Sequence, residues 1–262
     1  MLFAATAAGC GGGHAAPTTT TRQLRQFRIL FPEGFTRAQM VARAQAVAKI
    51  ADREIHRKVK LSGKTYAAAT AAPRKIAGFG PKRHPLEGFL FPDTYDFDRT
   101  STAAQLVTSQ LAEFLADWRT LNLSYAKSKN LTPYDVLTIA SMIEKEAVAP
   151  GDRAKIARVI YNRLHRGMAL GIDATIRYAL NIPGTKSLTQ SELANPTPYN
   201  TRLHKGLPPT PIANPGLASM RAAAHPANGP WLYFVAEPDK IHTFFTASAQ
   251  VFQQYLATHG YG

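Results

Sequence analysis

Thr132-Pro-Tyr-Asp-Val-Leu-Thr-Ile-Ala-Ser-Met-Ile-Glu-Lys-Glu146 is the stretch that decides the fold. Thr132 is a helix N-cap, Pro133 suits the first helical position, and Asp135 stands three residues on, where its carboxylate reaches back to the cap. Val136, Leu137, Ile139, Ala140, Met142 and Ile143 then cover the whole circumference, because 3.6 residues per turn leaves them no polar stripe. The spacing predicts a helix buried on all sides and stopped by Pro150-Gly151.

Two carboxylates close that helix. Successive residues lie about 100° apart, so Glu144 and Glu146 lie about 200° apart and do not face one cleft together. Glu144 shares its side with Leu137, Ala140 and Ser141, whereas Glu146 follows Ile139, Met142 and Ile143, and the pattern alone barely separates them. A carboxyl held against apolar side chains keeps its proton at higher pH, which is how a glutamic acid becomes a general acid near neutrality. The plain alternative is a solvated helix end with local ion pairs.

Outward from this helix, Phe27 to Leu30 reads as a strand running into the Pro32-Glu-Gly34 turn, followed by a helix carrying Met40, Val41, Ala44, Val47 and Ala48. Residues 62–85, punctuated by Gly63, Pro73, Gly78, Gly80, Pro81 and Pro85, read mostly as connector. Leu86-Glu-Gly-Phe-Leu-Phe-Pro-Asp-Thr-Tyr95 reads as an irregular apolar loop fit to line a cleft, and Ser101 to Ala116 as a scaffold helix capped by Ser101.

After the buried helix, Asp152 is expected to cap a helix with its apolar seam at Ile156, Val159, Ile160 and Leu164, and with Arg153, Arg158 and Arg163 facing outward. Asp173 is expected to cap a short helix, or equally to touch substrate. Thr197-Pro-Tyr199-Asn200-Thr201 and Gly206 to Gly216 form a long Pro-, Gly- and Asn-rich stretch, and so long an irregular segment in a compact domain is usually functional. Trp231 to Val235 and His242 to Thr246 read as a hairpin, with a last helix through Val251 and Tyr255.

The 262 residues suffice for one large domain or two small ones, and 45% hydrophobic against 18% charged residues excludes a chain disordered throughout. Lys plus Arg exceed Asp plus Glu by 31 to 17, a net charge of +14, so an acidic partner is expected. The single cysteine, Cys10, excludes an internal disulfide and a four-cysteine metal site. His225 and His242 lack metal-ligand spacing, and no phosphate-cradling, dinucleotide or nucleophile-elbow motif occurs, so neither metal nor cofactor is implied. The basic residues are scattered without a recognition motif, which argues against a nucleic-acid partner.

The order of the pieces resembles one family. Leu86 to Tyr95, Ala140-Ser-Met-Ile-Glu-Lys-Glu146, Tyr161-Asn-Arg-Leu164, Tyr199-Asn-Thr201, Gly206-Leu-Pro-Pro209, Ala224-His-Pro226 and His242-Thr-Phe244 look like the YceG-like, or endolytic murein transglycosylase, family over about residues 27–258. The expected architecture is α+β, a small N-terminal strand–helix portion followed by a helical catalytic core closed by the C-terminal hairpin and helix. The resemblance implies cleavage inside peptidoglycan strands, between N-acetylmuramic acid and N-acetylglucosamine, at the outer face of the cytoplasmic membrane. Its first Glu maps onto Glu144 as the catalytic acid, and Glu87, Asp173, Tyr199 and Asn200 are expected to bind substrate. Peptidoglycan strands are the implied partner, together with the synthases that make them. The basic surface is expected to hold glycan whose stem peptides bear carboxylates.

Three portions follow: residues 1–26 as targeting end and tether, 27–85 as a strand–helix portion with connector, and 86–262 as the transglycosylase domain. Ala-Ala-Gly-Cys10 resembles the end of a lipoprotein signal, the alternative being a shortened export or membrane-anchor sequence with an incidental cysteine. Rival functions are a muramidase using water, with Asp173 or Glu87 as second carboxylate, and a non-catalytic wall-binding protein.

Overall fold

The computed structural model describes residues 24–239 and 241–260, so most of the segment expected as targeting end and tether, Cys10 included, lies outside the described residues. The chain enters on β1 (Phe27–Leu30) and turns at Gly34, whose φ of +75° suits glycine. It continues into α1 (Arg37–Ile55), where Thr36 and Gln39 form a capping box and Met40, Ala44, Ala48 and Ala51 make one buried stripe.

That stripe packs on α2 (Gly63–Ala71), in a region the sequence suggested was mostly connector. Ser62 and Thr65 cap α2 reciprocally, and its alanines favour a helix; Gly63 and Pro73 only mark its ends. Gly63 has a packing cause, since a Cβ there would fall 2.8 Å from the Gln45 Cβ. A short ladder of β2 (Arg74–Lys75) and β3 (Arg83–His84) follows.

β4 (Thr94–Phe97) returns antiparallel to β1, with Phe27 opposite Phe97 and Leu30 opposite Thr94, so one sheet spans residue 85. The cap of α3 (Ala103–Trp118) is Thr102, paired with Gln105, and not Ser101. Ser101 is engaged one step earlier, in the turn around Asp98. α4 (Ser124–Ser128) leads to α5 (Pro133–Glu146), which carries the expected Thr132–Asp135 capping box and buries Val136 through Ile143 without interruption.

A 3-10 turn (Pro150–Asp152) precedes α6 (Arg153–His165). Asp152 makes no cap bond there; its carboxylate accepts from the Thr243 hydroxyl at 2.6 Å and so ties α6 to the C-terminal hairpin. All three arginines expected to face solvent are engaged by the fold, Arg153 through the buried Ser219 hydroxyl at 3.2 Å. Arg158 donates to the Ala227 carbonyl and the Tyr125 hydroxyl, and Arg163 to the carbonyls of Leu232 (2.6 Å) and Leu170 (2.5 Å). A guanidinium fork satisfies the orphan carbonyls of an irregular segment better than water can inside a packed fold.

α7 (Asp173–Leu180) and α8 (Gln190–Leu193) lead into the long irregular run, which ends at α9 (Leu217–Ala224), packed along α5 and α6. The hairpin of β5 (Tyr233–Ala236) and β6 (Thr243–Thr246) and then α10 (Ala249–Thr258) close the chain, with Phe244 stacked on Tyr255 at 4.0 Å. The architecture is α+β: helices around one hydrophobic core, with two-stranded antiparallel sheets among the described residues. Among those residues no helix is long and apolar enough to cross a membrane.

Candidate active site

A cavity of about 890 Å³ opens where the C-terminal end of α5, the N-terminal turn of α1, α7 and the irregular run meet. Glu87, Glu146, Asp173, Tyr178 and Tyr199 line it. The 200° offset on α5 is realised: Glu146 enters the cavity, and Glu144 turns to the other side. There Glu144 Oε2 accepts the Gly216 N–H at the start of α9 at 3.1 Å, and its Cγ lies against Gly34. Glu33 is its neighbour; burial chiefly, and then the Glu144 carboxylate, raise the Glu33 pKa against the pull of Arg153.

Burial likewise pushes Glu146 up to about 7, helped by Asp173 and opposed by a hydrogen bond from the Ala174 backbone and the charges of Arg177 and Lys145. Among the described residues no side-chain hydrogen bond reaches its carboxyl, so the Ala174 backbone group is its one hydrogen-bond donor there.

Glu87 is also pushed to about 7 by burial, yet its surroundings differ. Its oxygens accept from the Arg37 N–H (2.9 and 3.1 Å), the Tyr178 hydroxyl (3.1 Å) and the Asn214 amide (2.9 Å). A group that accepts from this many donors is committed as an acceptor, and Glu87 binds α1, α7 and the irregular run to one point.

The irregular run is held from below. Asn214, fully buried, donates to Glu87 and to the Phe35 carbonyl and accepts from the N–H groups of Gly88 and Leu90, each at 2.9 Å. Ser141 on α5 accepts from the Ile212 N–H at 3.0 Å. Gly88 has φ +90°, and a Cβ there would fall 2.7 Å from Pro211, so the two loops meet backbone to ring.

The residues expected from sequence separate accordingly. Glu87, Asp173 and Tyr199 come together in the cavity. Asp173 is the first residue of α7 and not its cap, and it pairs with Arg202 at 2.7 Å. Tyr199 lies 5.2 Å from Tyr178 ring to ring and hydrogen-bonds Thr210 at 2.8 Å. Asn200 is fully buried and not part of the cavity lining; its amide NH2 donates to the carbonyls of Leu193 and Asn195, and its Oδ1 accepts the Arg202 N–H. Tyr178, Asn214 and Arg177 were not singled out by sequence; Asn214, between Ile212-Ala213 and Pro215, had a local signal in its apolar flank.

The β5–β6 turn brings Glu237, Asp239 and His242 within 4.8 Å of one another, outside the cavity. Asp239 there accepts the backbone N–H groups of His242 and Ile241 and the His242 ring, which hold its carboxyl down to about 2, the arrangement of a tight turn.

The α+β domain thus gathers two desolvated carboxyls, Glu87 and Glu146, with Asp173 in one cavity, the arrangement of a candidate catalytic site. Comparison with known proteins supplies the narrower statement. Residues 14–258 match the YceG-like family, and the chain belongs to it. It is 39% identical over 155 residues to the endolytic murein transglycosylase of Bacillus subtilis (strain 168), covering 59% of this chain and 43% of that protein. With the protein of the same name from Streptococcus pneumoniae (strain ATCC BAA-255 / R6) it is 36% identical over 183 residues, covering 68% and 33%. The chain thus spans less than half the length of these relatives. A crystal structure of a yceG-like protein from Listeria monocytogenes superposes with a TM-score of 0.68 at 30% identity, over 87% of this chain and 75% of that one.

Proposed function

We propose that the chain is an endolytic lytic transglycosylase of peptidoglycan with Glu146, and not Glu144, as its proton donor. The observation that carries this is the cavity carboxyl of Glu146, raised to about 7 and free of competing side-chain donors, whereas Glu144 lies outside the cavity on the Gly216 N–H. Family membership and relatives named for murein transglycosylase activity support the substrate class.

One carboxyl group suffices for the reaction. Glu146 protonates the bridging oxygen as the bond from C1 of N-acetylmuramic acid breaks. The resulting carboxylate then takes the proton of the C6 hydroxyl as that oxygen bonds to C1. No water enters, the proton count closes, and the new end is a 1,6-anhydro sugar. A group titrating near 7 serves both steps, since each form is within reach at neutral pH. Tyr199 and Tyr178 offer rings for sugar faces, Asp173 a charged wall, and Glu87 holds the cavity's shape. Asn200 braces the irregular run that carries Tyr199, through the carbonyls of Leu193 and Asn195.

Such an enzyme meets glycan at the outer face of the cytoplasmic membrane, next to the synthases that extend it, and residues 1–26 would hold it there. Mass spectrometry of digested, purified strands tests the reading. Internal cleavage with ends one water lighter than reducing ends supports it; reducing ends would mean a hydrolase, with Asp173, in the same cavity, as second carboxylate.

A further inference from the structure

Arg177 lies on α7 one turn after Asp173 and lines the cavity that holds Glu146. An acid and an arginine four residues apart on a helix commonly pair. Here Asp173 pairs with Arg202, and the Arg177 Nη1 instead donates to the carbonyls of Pro183 (3.0 Å) and Lys186. Those carbonyls fix the guanidinium plane without neutralising it, and among the described residues nothing engages its Nε or Nη2. Lys145, on the same lining, donates to the Gly34 carbonyl at 3.3 Å and likewise has no ion pair among the described residues. Arg177 is near enough to Glu146 for its charge to act on that carboxyl, against the burial that dominates there.

A fixed, half-open guanidinium in a cavity is a receptor for a carboxylate, which it takes through parallel N–H bonds. On the functional reading above, on which this inference rests, the sugar at the cleaved bond is muramic acid, and its lactyl group bears a peptide with free carboxylates. We propose that Arg177, supported by Lys145, forms an anion subsite beside Glu146 that takes a carboxylate of this peptide, so that the cavity favours peptide-bearing glycan over bare glycan.

Three uncrosslinked strand preparations test this with the full chain: one with peptides whose carboxylates are free, one with the same carboxylates amidated, one with the peptides removed. For the wild type kcat/KM should be about tenfold higher on the first than on either other, the worth of one charge-assisted contact. Arg177→Gln should bring the ratios close to one through KM, and Arg177→Lys should restore part of the preference. Equal rates of the wild type on all three preparations would overturn the proposal. So would an Arg177→Gln loss of the same size on all three, which would mean that Arg177 only ties down the 183–186 turn. Cleavage of none of them would remove the functional reading itself and the subsite with it.

Discussion

Glu144 and Glu146, two residues apart on α5, serve opposite sides of the molecule: Glu144 holds the Gly216 N–H at 3.1 Å, and Glu146 lines the cavity. The end of a single helix thus fastens the start of α9 with one carboxylate and places the other in the cavity lining. The division of labour sets what each substitution should do.

On the proposed mechanism Glu146 must carry its proton to start the reaction, and burial pushes its pKa up to about 7. The pH profile of kcat/KM on glycan should therefore fall on its alkaline side with a midpoint near 7. Glu87 titrates in the same range, but its anion keeps its donors, so its ionisation leaves the cavity intact. A profile flat to about two units above that midpoint would contradict the role given to Glu146.

The same burial has a cost in stability. Glu146 ionises near 4.5 when unfolded and only near 7 when folded, so the folded state binds the proton more tightly between those values. Its contribution is complete below about 4.5 and is lost as pH rises through about 7. Glu146→Gln should consequently be more stable than the wild type at a pH above 7, by up to about 3 kcal/mol, with the advantage gone near pH 4.5. Thermal melts of the two proteins across this range check the sign; a variant that is less stable at alkaline pH would refute it.

Asn214 is the buried joint between the Leu86–Tyr95 loop, the Pro32 turn and the irregular run. Asn214→Ala should cost about 2–4 kcal/mol, because it leaves two backbone N–H groups and one Glu87 oxygen without that partner. Denaturant unfolding measures the loss, and a change under about 0.5 kcal/mol would show that water replaces the amide without penalty.

Much of this was legible in the sequence for stated reasons. α5 was, because a Thr-Pro-x-Asp start and an apolar run leave few alternatives. α2 was not, since glycine and proline at its borders look the same whether they end a helix or fill a loop. The apolar pattern left Glu144 and Glu146 undivided, because a helix apolar all round has no polar side to show which carboxylate faces the cavity; the family resemblance pointed to Glu144, whereas the cavity side carries Glu146. The inward turn of Arg158 and Arg163 depends on carbonyls nearly seventy residues further along the chain, which no local pattern displays. Asn200 has the chemistry of a sugar ligand, but an irregular run must satisfy its own carbonyls first, and its amide is used there.

The most direct measurement compares Glu146→Gln and Glu144→Gln side by side in single-turnover cleavage of purified uncrosslinked glycan, with product ends weighed by mass spectrometry. Glu146→Gln should lose at least about a thousandfold in rate and yield no anhydro ends above background, while Glu144→Gln, whose amide oxygen still accepts the Gly216 N–H, should keep more than about a tenth of the rate. Full loss in Glu144→Gln together with near-normal turnover in Glu146→Gln would contradict the account.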